Sequence, residues 1–78
     1  MSDLEPRLVR CFAAVFPGLD RAAITAAKRG NVRGWDSLAS ITLVRVIEEE
    51  FGVSIKLLDL DGLNGFQEFL KYLAAHAQ

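Results

Sequence analysis

The sequence predicts an all-α fold: a small bundle of three main helices and one short helix, with a long loop between the first two. Three observations carry this. Apolar residues recur at three- and four-residue spacing in three separate stretches, the period of an amphipathic helix. Glycine, proline and asparagine punctuate the chain between them, as loop chemistry requires. No segment alternates apolar and polar residues over a strand's length, so helix packed on helix is the natural architecture.

The first helix covers about residues 3–16. Leu4, Leu8, Phe12, Val15 and Phe16 form its apolar stripe, and Ser2 or Asp3 can cap its start. Pro6 is tolerable in a first turn, and Pro17-Gly18 stops the helix. Residues 17–36 form a long connection. Asp20 can cap a short turn through Arg21-Ala22-Ala23-Ile24, and KRGNVRGW then reads as loop. A loop this long in so short a chain is more often functional than idle. Residues 37–51 make the clearest helix, with Leu43, Val44, Ile47 and Phe51 on the side that faces the core. Gly52 closes it, and Val53-Ser54-Ile55 is an extended link able to drop Val53 or Ile55 into the core. A short helical turn is expected in LLDLDGLNG. Asn64 begins the last helix, which runs to about Ala75, with Gln67 at capping-box spacing. Phe66, Phe69, Leu70 and Leu73 supply its apolar face.

With 78 residues, the expectation is one domain over 1–78 whose core supplies only about 3–5 kcal/mol of net stability. An apolar content of 51% favours a packed core over disorder. Cys11 is the single cysteine, which excludes an internal disulfide and a cysteine-based zinc site. It reads as a buried thiol and fits a reducing, cytoplasmic setting. No apolar run approaches the ~18 residues a membrane helix needs. MSDLEPRLVR lacks the basic-then-apolar form of a signal peptide. Residues 1–36 carry a net charge of +2 and residues 37–78 a net charge of −3. Neither suits nucleic-acid binding, which wants a strong basic patch. Nothing demands more than a monomer.

The stretch GWDSLASITL, residues 34–43, holds the candidate site. Ser37 stands where loop becomes helix. The first N–H groups of a helix lack internal partners and carry partial positive charge, so a serine there commonly caps. The same place suits a serine bearing a phosphodiester, which the helix end would stabilise. Asp36 is the other candidate cap, and it would leave Ser37 free to point outward. The side of this helix away from the core holds Ser37, Leu38, Ile41, Arg45, Glu48 and Glu49. Leu38 and Ile41 are apolar residues that the core does not obviously need. They are either unremarked surface apolars or a docking face for a partner. Trp35, the only tryptophan, either packs the loop onto the bundle or meets a partner. Glu48-Glu49-Glu50 reads as a solvated face, with docking as the option for Glu48. Lys28, Arg29 and Arg33 read as solubility charges. His76, the sole histidine, lies where helices fray. No catalytic triad or metal cluster can be assembled around it.

GWDSLASITLVRVIEEEFGVSI resembles the signature of acyl carrier proteins and the wider phosphopantetheine-binding carriers. It has D-S-L, an apolar-patterned helix, E-E-E-F and an apolar link. The resemblance covers essentially the whole chain in length, helix order and long first loop. It implies that Ser37 carries 4′-phosphopantetheine, installed from coenzyme A by a phosphopantetheinyl transferase, and that the arm's thiol holds acyl or aminoacyl cargo as a thioester. Asp36 matches the acid that helps present the site. Leu38, Ile41, Arg45 and Glu48 match partner-facing positions, and Trp35 joins them as a docking candidate. The implied partners, besides the transferase, are acyl- or aminoacyl-activating ligases, transferases or synthases. The chain itself would be a non-catalytic carrier. It departs from the fatty-acid carriers at Ala39 and Thr42, where those have acids, at Arg45, and in a pI near 5.7. A specialised biosynthetic pathway therefore fits better than housekeeping fatty-acid synthesis. The other readings are an aminoacyl or peptidyl carrier, an unmodified helical interaction module, and, more remotely, a hydrolase using His76 as base.

Overall fold

Five helices follow one another in a computed structural model that describes residues 3–76, without the side chain of Leu57. They are α1 (Leu4–Val15), α2 (Arg21–Thr25), α3 (Ser37–Phe51), α4 (Leu57–Leu60) and α5 (Phe66–His76). Among the described residues no strand forms; the one β-type pairing is an isolated antiparallel bridge between Lys28 and Gly65. The all-α expectation holds, with the three long helices where the apolar periods put them. Two short helices are present rather than one.

α1 buries Leu8, Cys11 and Phe12. Asp3 occupies its cap position, yet its side chain makes no capping bond. The carboxylate instead lies 3.9 Å from Arg7, so the expected Asp3 cap is absent; the Ser2 alternative lies outside the described residues. Asp20 does cap α2, accepting from the Ala23 amide at 2.8 Å, and α2 exists to drop Ile24 into the core. α3 buries Leu43, Val44 and Ile47 and leaves Phe51 half-buried. It ends at Gly52, whose φ of 66° is the left-handed conformation that glycine adopts without penalty. Of the link after it, Ile55 is buried and Val53 half-buried.

The last helix begins two residues later than the sequence suggested, and its capping partner differs. Glu68, not Gln67, reaches back to accept from the Asn64 amide at 2.6 Å. Gln67 donates instead to the Thr25 carbonyl at 3.1 Å. The reason is tertiary. The Asn64 carbonyl accepts from the Arg29 amide, and the Phe66 amide donates to the Ala27 carbonyl, both at 2.9 Å. Residues 64–66 are therefore fastened to the long loop before helix can form. Gly65 permits this approach, since a Cβ there would stand 2.9 Å from the Ala27 carbonyl oxygen.

Phe12 is the centre of the core. Its ring meets Trp35, Phe66 and Phe69 edge-on at centroid separations of 5.6, 5.2 and 5.9 Å, the spacing aromatic pairs prefer. α1 and α3 are also tied at the surface. The Arg7 Nε donates to Glu50 Oε2 at 2.8 Å, and the guanidinium lies 4.5 Å from the Phe51 ring centre. At the other end, the Tyr72 hydroxyl on α5 donates to Asp59 of α4 at 3.0 Å.

Candidate functional site

The site is built where the long loop turns into α3. Gly34, at φ 86°, supplies the left-handed turn that brings the chain round. Trp35 follows and is only 6% exposed. Its ring packs on Phe12 and on Phe16, the latter at 5.5 Å, and its Nε1 donates to Ser40 Oγ at 2.8 Å. The docking assignment for Trp35 is therefore corrected in favour of the other reading the sequence allowed: the indole packs the loop onto the bundle.

Asp36 caps α3. Its Oδ1 accepts from the Ala39 amide at 2.9 Å, and its carbonyl accepts from the Ser40 amide at 2.9 Å. Of the two capping options the sequence left open, the structure takes Asp36. Ser37 becomes the first helical residue, is exposed, and its hydroxyl has no hydrogen-bond partner among the described residues. A loop and a capped helix end thus present one unengaged hydroxyl beside helix amides of partial positive charge. No base touches it. His76 is at the end of α5, with its ring stacked 4.2 Å from Tyr72.

Beside it and one turn on, Leu38 is 72% and Ile41 52% exposed, so the two apolar residues do stand outside the core. Arg45 is exposed on the same helix. Glu48 is different. It is half-buried, and its Oε2 accepts from the Ile55 amide at 2.8 Å. Through that oxygen it anchors the link after α3, a structural role that the sequence reading of Glu48 as a solvated or docking acid did not include. The three-glutamate run is not one solvated face either, since Glu50 holds Arg7. Ala39 packs partly against the core. Its lack of charge has a structural reason, which leaves Thr42 and Arg45 as the exposed departures from an acidic helix.

Beside Ser37 lies a cavity of about 240 Å³. Arg29 and Ser37 stand among its lining, with Ile41, Val44, Leu63 and Phe69 making it largely apolar. Sequence reasoning missed Arg29 and Ser40 here. Arg29 reaches the site through the loop's pairing with residues 64–65, and Ser40 through an indole five residues away; neither leaves a local pattern. It also missed Leu58 on α4, which is 90% exposed.

The family model described as the phosphopantetheine attachment site matches residues 7–73. The chain belongs to this phosphopantetheine-binding carrier family. The matched span runs from α1 into α5 and takes in the loop, the capped start of α3 and the cavity. Domains of this family receive 4′-phosphopantetheine covalently, act in general as non-catalytic carriers, and interact with phosphopantetheinyl transferases and biosynthetic enzymes. The chain offers chemistry that fits the group: an exposed, unbonded serine hydroxyl at a helix N-terminus able to stabilise a phosphate. Among the described residues no helix is long and apolar enough to cross a membrane.

Proposed function

We propose that this carrier is an acyl carrier protein of a specialised biosynthetic pathway, with Ser37 as its attachment residue. The observation that carries the Ser37 assignment is the division between Asp36 and Ser37. The acid caps α3 through the Ala39 amide and leaves the adjacent hydroxyl exposed and without a partner. When bound, the arm supplies a mobile thiol that holds cargo as a thioester. The protein's own contribution is to fix the point from which the arm extends and to dock with each enzyme in turn, which raises the cargo's effective concentration there. Leu38 and Ile41, with Arg45 beyond them, form the docking face. Exposed Thr42 and Arg45 support a partner set different from that of the acidic fatty-acid carriers, because charge steers such encounters. The apolar cavity beside Ser37 favours acyl over aminoacyl cargo. The chain acts as one non-catalytic, monomeric carrier domain over residues 1–78, in the cytoplasm.

Intact-protein mass spectrometry tests the attachment. Wild type and Ser37→Ala are incubated with coenzyme A and a broad-specificity phosphopantetheinyl transferase. One phosphopantetheine on wild type alone is the expected result, and an Ala variant that still gains the arm overturns it. Offering the loaded protein to activating ligases with fatty acids or amino acids then decides cargo; preferential amino-acid loading would replace the acyl reading with the aminoacyl one.

A further inference from the structure

Among the described residues, Arg29 is the one basic residue lining the cavity that Ser37 also lines. The other described cations near α3 line other depressions. Arg33 lies in a separate depression with Phe16 and Ala39. Arg45, about 12 Å further along the helix axis at 1.5 Å per residue, shares its depression with Glu48 and Glu49. Lys28 faces the hollow before α5, which Arg29 also borders from its other side.

The Arg29 backbone is held in place. Its amide donates to the Asn64 carbonyl at 2.9 Å, and Lys28 beside it bridges to Gly65. Its guanidinium is uncommitted. The ion pairs among the described residues join Arg7 to Asp3 and Glu50 and Arg21 to Glu5, and none uses Arg29. The acids nearby point the same way. Asp61 lines the cavity, and Asp36 precedes Ser37. An anion placed on Ser37 meets repulsion from both carboxylates, and Arg29 is the cation in the cavity able to offset it.

We propose that Arg29 is a positioning residue for the arm. Resting on the assignment of Ser37 as the attachment residue, the guanidinium pairs with the phosphodiester and sets the direction in which the arm leaves α3, on the Arg29 side of the cavity and away from Asp61. Guanidinium suits this role, since its planar fork matches phosphate oxygens in pairs. Exposed as it is, the pair should yield to salt.

The test uses NMR on the full chain, apo and loaded, with loading verified by mass. In wild type, loading should shift the Arg29 Nε–Hε resonance. About 1 M NaCl, where the screening length is about 3 Å, should return it toward its apo position. The phosphorus resonance of the loaded protein should move with salt in wild type and in Arg33→Gln. It should lose that response in Arg29→Gln and keep part of it in Arg29→Lys. Should Arg29→Gln fail to fold, the wild-type guanidinium resonance decides alone. Verified loading with no change at Arg29, or an Arg33→Gln effect equal to that of Arg29→Gln, overturns the proposal. Failure of Ser37 to load at all overturns the attachment reading, and this inference with it.

Discussion

Asp36 and Ser37 are neighbours with separate tasks, and stability should fall on the acid. Had Ser37 been the cap, Ser37→Ala would cost about 1 kcal/mol. With the Ala39 amide held by Asp36, Ser37→Ala should stay within about 0.5 kcal/mol of wild type. Asp36→Ala should lose about 1 kcal/mol. Denaturant unfolding of the two variants checks this, and equal losses would show that Ser37 shares the cap. Cys11 allows a second prediction at this scale. Burial pushes its thiol from an ordinary 9.0 up to about 11. A raised value in the folded state means the protonated thiol is favoured there. Its stabilising contribution is present below pH 9.0 and is lost as pH rises toward about 11. The thiolate is the reactive form, so Cys11 should resist iodoacetamide at neutral pH in the folded protein and react once unfolded. Rapid native labelling would contradict this. Ser37 was legible as a candidate because its surroundings are local: a loop, an acid and a helix start. Arg29 was not, because what brings it to Ser37 is a pairing with residues more than thirty positions away.

At the scale of the element, α3 has two faces with different obligations. Leu43, Val44 and Ile47 are buried, while Leu38 and Ile41 stand exposed. Leu38→Asp and Ile41→Asp should each change stability by no more than about 0.5 kcal/mol. Each should lower kcat/KM for loading by a transferase about tenfold, the effect of losing an apolar contact of about 1.4 kcal/mol. Paired thermal melts and loading rates check this; unfolding in both variants would return the two residues to the core. The inward face was legible because its spacing is the helix period, and so was the Gly52 stop. The start of α5 was misplaced because Asn64 and Gly65 answer to the loop first, through Arg29, Lys28 and Ala27. A capping rule looks only along the chain. Glu68, four residues past Asn64, became the partner once the helix had been delayed to Phe66.

For the whole molecule, the aromatic centre decides survival. Phe12 touches rings from the C-cap of its own helix, the long loop and α5. Truncation of a buried Phe to Ala costs about 3–5 kcal/mol, and a core this small supplies about the same in total. Phe12→Ala should therefore be largely unfolded at room temperature, with no cooperative thermal transition by circular dichroism; a sharp, wild-type-like melt would show that the hub is dispensable. Phe12 was legible as core from its stripe, and packing of Trp35 onto the bundle was one of the two readings its sequence allowed; its partners, Phe12, Phe16 and Ser40, were not legible. That packing has a mechanical consequence. Trp35 is wedged among rings and latched to Ser40, Asp36 is clamped to Ala39, and the loop behind them is sewn to the start of α5. A tether attached at Ser37, as proposed, would start from a mount bolted to the frame on both sides. The search motion would then fall to the arm rather than to its mount, and an enzyme that grips α3 would meet the tether's origin at a fixed place.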